Sequence, residues 1–162
     1  MLEKIKEKFP IYAIAIAVPL VVGVAAALIT KGDMKIYEEI VKPPLAPPAL
    51  LFPIVWSILY VLMGVSSGLV YENREVAPEA ARRGLTNYAM SLVFNFFWSI
   101  FFFKLELYLL SFVWLLLMLY LIVRTIIEYW RVSRAAALIQ IPYAVWVAFA
   151  GYLNCAIWIL NS

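Results

Sequence analysis

"ALLFPIVWSILYVLMGVSSGLVY", residues 49–71, runs its whole length without a Lys, Arg, Asp, Glu or His. A helix rising about 1.5 Å per residue crosses ~30 Å of hydrocarbon in roughly 20 residues, so a stretch of this length and composition reads as a membrane span. Working outward, four more apolar runs cover about residues 10–30, 84–103, 107–130 and 135–160. Hydrophobic residues make up 66% of the 162, with six Trp, ten Tyr and ten Phe, well above the usual share of a soluble domain. The expected fold class is therefore an all-α integral membrane protein. It is a single domain over residues 1–162, a bundle of five transmembrane helices with a proline-rich extramembrane loop at 31–48. The charged start "MLEKIKEK" has the look of a signal peptide, but no small-residue cleavage site follows and the first run is long enough to span, so it is read as a retained helix.

The charges lie between the runs, and short connections make consecutive helices antiparallel. One side holds Lys4, Lys6, Lys8, Arg74, Arg82, Arg83, Arg124, Arg131 and Arg134, the other Lys31, Lys35, Lys42 and Lys104. The excess of positive charge on the first side predicts a cytoplasmic N-terminus and an external C-terminus. The lone cysteine, Cys155, excludes an internal disulfide. With no histidine in the chain, a His-ligated haem, the usual zinc sites and a Ser-His nucleophile are excluded as well. No metal site and no cofactor are expected, and no nucleic-acid partner.

Small residues recur at four-residue spacing, as at Gly64 and Gly68 and at Gly23 and Ala27, where helix backbones can approach closely. Asn95, Gln140 and Asn154 stand inside apolar runs; an amide facing lipid leaves its hydrogen bonds unmade, so these point into the bundle, to neighbouring helices or to a cavity. Arg124 and Glu128, four apart, are expected to pair or to reach the interface. Helical spacing groups Phe52, Trp56, Tyr60 and Gly64 on one face, Ser91, Asn95, Trp98, Ser99 and Phe102 on another, and Tyr143, Trp146, Ala150, Leu153 and Asn154 on a third. Such stripes usually form core, and Trp114, Trp130 and Trp158 fit an interfacial belt. Trp56 and Trp146 lie deeper, about 10 Å and 20 Å below the outer surface at ~1.5 Å per residue, where an indole N–H needs a partner that a ligand can supply.

Pro43, Pro44, Pro47 and Pro48 precede the second run and hold the chain extended without regular hydrogen bonds. They either stop the loop from entering the helix early or form a rigid lid where the three stripes open.

The motifs "YEEIVKPPLAPP" (37–48), "FPIVWSILYVLMG" (52–64), "NFFWSIFFF" (95–103) and "IPYAVWVAFAGYLN" (141–154) resemble, in order and position, the translocator protein family, also called tryptophan-rich sensory proteins or peripheral-type benzodiazepine receptors. The resemblance covers about residues 10–160. It implies a five-helix bundle, often a homodimer, whose pocket binds tetrapyrroles such as protoporphyrin IX, sterols in animal members, and benzodiazepine-type ligands, with the first loop as its cover. Carried over by motif, the ligand-binding set is Tyr37, Pro47, Pro48, Trp56, Asn95, Trp98, Trp146, Ala150 and Asn154. The chain departs from the pattern at Leu45, where the family usually has a tryptophan, and lacks the animal sterol motif, since no Lys or Arg follows Tyr152. Leu117, Tyr120 and Arg124 match that motif only formally.

Three functions compete. The first is a binding or transport protein for planar hydrophobic ligands of the porphyrin kind. The second is an enzyme that degrades protoporphyrin IX with light and oxygen, with Trp56 and Trp146 as the redox-active groups. Since no general base, nucleophile or metal is at hand, the photochemistry would there belong to the ligand. The third is a structural or regulatory membrane protein acting through a dimer face.

Overall fold

The structure is a computed structural model that describes residues 2–161; the side chains of residues 2–7 and of Met34 lie outside the description, among them the Lys4 and Lys6 of the charge count. Helix α1 is Leu2–Ile29. A 3-10 turn at Asp33–Lys35 leads into the short α2, Ile36–Glu39. Then come α3 (Leu51–Glu72), α4 (Pro78–Ser99), α5 (Tyr108–Val132) and α6 (Arg134–Leu160). Among the described residues there is no strand, and five helices are long and apolar enough to cross a membrane.

The spans agree with the apolar runs except where local chemistry overrides hydropathy. The third span, α4, starts at Pro78, ahead of the Gly84 expected from the apolar run, because proline at the first helical turn gives up no hydrogen bond. Its charged opening turn is stabilised by ion pairs, Arg82 to Glu79 at 2.8 Å and Arg83 to Glu128 at 3.2 Å. At the other end α4 widens into a π-helical turn, Ile100–Lys104, before the chain reverses through Glu106 at a positive φ of 54°. Between α5 and α6 a single residue suffices: Ser133 is extended and its hydroxyl accepts the Ala136 N–H at 3.3 Å, an N-cap. The 31–48 loop is not wholly irregular, since it contains α2.

Around the bundle the order is α1, α3, α6, α5, α4 and back to α1. The α1–α4 seam that closes the ring is its loosest join between spans, and only 11% of the apolar stretch of α1 is buried, against 44% for α3. Apolar on all sides, α1 lies at the edge against lipid. Its anchorage to α3 depends on glycine: a Cβ on Gly64 would sit 2.5 Å from the Ile16 Cα, one on Gly68 2.7 Å from the Tyr12 ring, and one on Gly23 would strike the Tyr60 ring. The spacing read from the sequence as close packing is thus the α1–α3 contact.

Glu128 pins α4 to α5 at the end that holds the N-terminus. Its side chain is buried, and besides Arg83 it faces Arg131 at 3.7 Å and Arg124 at 3.9 Å. The pairing expected within α5 is one part of a three-arginine cluster.

Candidate functional site

A cavity of about 360 Å³ lies beneath α1 at the end of the bundle where the 31–50 segment runs, Lys31 being the residue of that segment on its lining. Its floor is aromatic: Phe52, Trp56 and Tyr60 from α3, Trp98 from α4 and Phe103 from the π turn. Trp56 is the hub, stacked on Tyr60 at 5.5 Å and meeting Trp98 at 6.2 Å and Tyr143 at 6.1 Å. Hydrogen bonds fix the rings around it. Trp98 donates its indole N–H to the Asn154 Oδ1 at 3.1 Å, and Asn154 in turn donates to the Tyr108 carbonyl at 2.8 Å. Tyr60 donates to the Asn95 Oδ1 at 2.9 Å at the inner end of the cavity. The roof is a face of α1, with Leu20, Gly23, Ala27 and Thr30 at helical spacing, and Lys31 is the one charged residue lining it.

The 31–50 segment is held in three places. The buried Tyr37 hydroxyl donates to the Pro47 carbonyl at 2.9 Å, and its ring meets Phe52 edge-on at 5.1 Å. Burial pushes the Tyr37 phenol above its ordinary range. Tyr152 donates to the Pro44 carbonyl at 3.0 Å, and Asn161 both accepts from the Val41 N–H and donates to the Val41 carbonyl, each at 3.0 Å. Leu45 has a positive φ of 69° and is 81% exposed, so its side chain stands away from the cavity.

The nine residues expected to share one pocket are distributed over several places. Trp56 and Trp98 line the cavity, and Asn95 lies at its inner end through Tyr60. Tyr37, Ala150 and Asn154 meet Trp98 around a void of only about 10 Å³, at the lower limit for one water, so this part of the bundle is closed core. Pro47 is buried and holds Tyr37, while Pro48 is exposed; neither is on the lining of these two spaces. Trp146 sits elsewhere, in a hollow of about 490 Å³ between α3 and α6, its ring edge-on to Phe52 at 5.9 Å and its buried N–H without a partner. The reason is helical phase: at about 100° per residue, Val147 continues the buried face from Tyr143 to Ala150, and Trp146 falls on its flank. Gln140 is buried with neither amide atom partnered, so the interhelical bond expected of it is not made.

The sequence reading missed the α1 wall and Lys31. The small residues at 23, 26, 27 and 30 are compatible equally with a helix contact and with a cavity roof, and nothing local to the chain separates the two. Carboxylates are absent from the lining, so the site offers π surface, a few orienting polar groups and one cation.

Five membrane-length helices closed in a ring, with an aromatic cavity between α1, α3 and α4, define a polytopic membrane protein. The TspO/MBR family matches residues 15–159, and the chain belongs to it. It is 34% identical over 157 residues to Protein CrtK of Rhodobacter capsulatus, covering 94% of this chain and 92% of that one. It is 37% identical over 154 residues to Tryptophan-rich protein TspO of Chlorobaculum tepidum, at 92% and 94% coverage. To Translocator protein of Bos taurus it is 32% identical over 141 residues, at 86% and 83%.

Proposed function

We propose that the protein binds a planar, amphipathic tetrapyrrole, protoporphyrin IX being the representative, in the cavity between α1, α3 and α4, and passes it across the membrane. The observation that carries this reading is the pairing of an aromatic floor, Trp56 and Trp98, with one cation, Lys31, at the end where the 31–50 segment runs. Stacking on indole suits a flat macrocycle, and an ammonium suits a propionate at its rim. The loose α1–α4 seam supplies a lateral way in for a ligand dissolved in the bilayer. A homodimer and a cytoplasmic N-terminus belong to the same reading, the first from the family and the second from the Lys and Arg distribution.

Titration of the detergent-solubilised protein with protoporphyrin IX, followed by tryptophan quenching, tests it. Saturable quenching that Ala27→Phe abolishes is the expected result; a linear, non-saturating decrease means partitioning into the micelle and ends the proposal.

A photo-oxidative reading is favoured by one observation, the cluster of Tyr60, Trp98 and Tyr143 within 6.2 Å of Trp56, a set of rings able to pass a hole away from an excited ligand. It draws on Trp56 alone, because Trp146 lines a different hollow. Loss of the porphyrin Soret band under light and oxygen, slowed by Trp56→Phe and untouched by Trp146→Phe, is its signature.

A further inference from the structure

At the end that holds the N-terminus, the α4–α5 pair carries more positive charge than its own carboxylates use. Gly84 lets the two helices close there, since a Cβ on it would sit 2.7 Å from the Tyr129 ring and 3.2 Å from the Glu128 Cβ. The approach sets the Glu128 carboxylate against three guanidinium groups, Arg83 at 3.2 Å, Arg131 at 3.7 Å and Arg124 at 3.9 Å. Glu79 and Arg82, paired at 2.8 Å beside them, cancel each other, so the three arginines around one carboxylate leave a net charge of +2. Only Arg83 hydrogen-bonds to Glu128. Arg124 and Arg131 stand farther off, and among the described residues neither has a second acidic partner.

The two under-used cations face lipid. Seven residues apart on α5, Arg124 and Arg131 share a face, and their side chains are 46% and 59% exposed. Tyr120, Val123 and Ile127, each within one turn of Arg124, are exposed as well. Arg124 lies eight residues, or about 12 Å at ~1.5 Å per residue, inside the end of α5 at Val132. Trp130, exposed and with the Arg134 guanidinium 5.6 Å from its ring centre, fits the interface nearer that end. A guanidinium as deep as Arg124, among lipid-facing side chains, is costly unless an anion meets it, and Glu128 is already shared.

We propose that Arg124 and Arg131, with Arg83 behind them, bind the phosphate of an anionic phospholipid in the leaflet on the N-terminal side, its acyl chain lying along Tyr120, Val123 and Ile127. Phosphate oxygens match the planar fork of guanidinium donors, and basic groups between membrane helices are a recurrent seat for lipid head groups. A free phosphate ion offers the same oxygens, but Arg124 is flanked by apolar side chains, which favours the phosphate that brings its own acyl chain. The site lies at the opposite end of the bundle from Lys31 and stands independently of the porphyrin reading.

The test is native mass spectrometry of the detergent-solubilised protein titrated with dioleoyl phosphatidylglycerol and, separately, with dioleoyl phosphatidylcholine. A single phosphatidylglycerol retained per chain, roughly tenfold tighter than phosphatidylcholine and not displaced by millimolar inorganic phosphate, is expected. Arg124→Gln and Arg131→Gln should each weaken it roughly fivefold, the worth of one arginine facing an anionic leaflet. Arg74→Gln, on the same side of the membrane but paired with Glu75 outside the cluster, should stay within roughly twofold of wild type. Thermal transitions of both α5 variants should match wild type, since neither guanidinium is hydrogen-bonded to Glu128, and Arg131→Gln carries the test if Arg124→Gln fails to fold. Equal affinity for the two lipids, displacement by inorganic phosphate, unchanged affinity in the folded α5 variants, or an equal loss in Arg74→Gln would each overturn the proposal.

Discussion

Trp98 on α4 and Asn154 on α6 share one hydrogen bond of 3.1 Å, and through it the closed core of the bundle sets the orientation of a ring that lines the open cavity. Asn154 is held in turn by the Tyr108 carbonyl. Replacing Asn154 by leucine removes an acceptor from a buried indole and should cost about 1–3 kcal/mol of stability, seen as a lower thermal transition. Porphyrin affinity should fall with it, because Trp98 loses its fixed orientation. Unchanged affinity would separate the core from the site.

Trp56 and Trp146 should behave oppositely. Trp56→Leu removes the hub of the aromatic floor and should weaken protoporphyrin IX binding about tenfold, since an aromatic contact contributes ~0.5–1.5 kcal/mol beyond its buried area. Trp146→Phe, in the hollow between α3 and α6, should leave binding within twofold of wild type. Isothermal titration of both variants in one detergent gives the comparison, and a larger effect at Trp146 would move the site.

Lys31 should matter for an anionic ligand only. Lys31→Gln is expected to weaken protoporphyrin IX several-fold, since a unit charge pair near water is worth on the order of 1 kcal/mol, and to remove the salt dependence of binding. The dimethyl ester of the same porphyrin should bind both forms alike. A loss of ester binding in the variant would show that Lys31 acts through the fold.

The Tyr37 latch has a pH limit. Its folded pKa lies above the unfolded value, so the stabilisation from the protonated form is fully present below the ordinary tyrosine pKa of ~10 and is lost as pH rises through the raised folded value. The cover should therefore loosen in strong alkali, with faster dissociation above about pH 10 of the porphyrin dimethyl ester, which needs no charge on Lys31. In Tyr37→Phe dissociation should be fast at every pH and flat across that range; a retained alkaline rise would assign the titration to another group.

Glu128→Gln should lower thermal stability by about 1–3 kcal/mol, because a buried carboxylate facing Arg83, Arg131 and Arg124 becomes a neutral amide among three cations. Porphyrin binding at the far end should be unaffected.

The number of spans and the burial of Asn95 and Asn154 were legible in the chain because they rest on local facts: an apolar run must be helical in lipid, and an amide there must turn inward. The same logic places Trp56 and Trp98 on inward faces. It also grouped Trp146 with Ala150 and Asn154, where a wide stripe admitted a residue on its edge, and it left α1 as a packing helix. What only the tertiary structure decided is how the faces meet. Glycines at 64 and 68 bring α1 onto α3, and the loose seam with α4 leaves the aromatic cavity beneath its outer half. Whether a small residue touches a neighbour or roofs an empty space depends on the rotation and tilt of two helices. These are settled by the sum of many contacts along α1, α3 and α4, and no short stretch of sequence contains that sum.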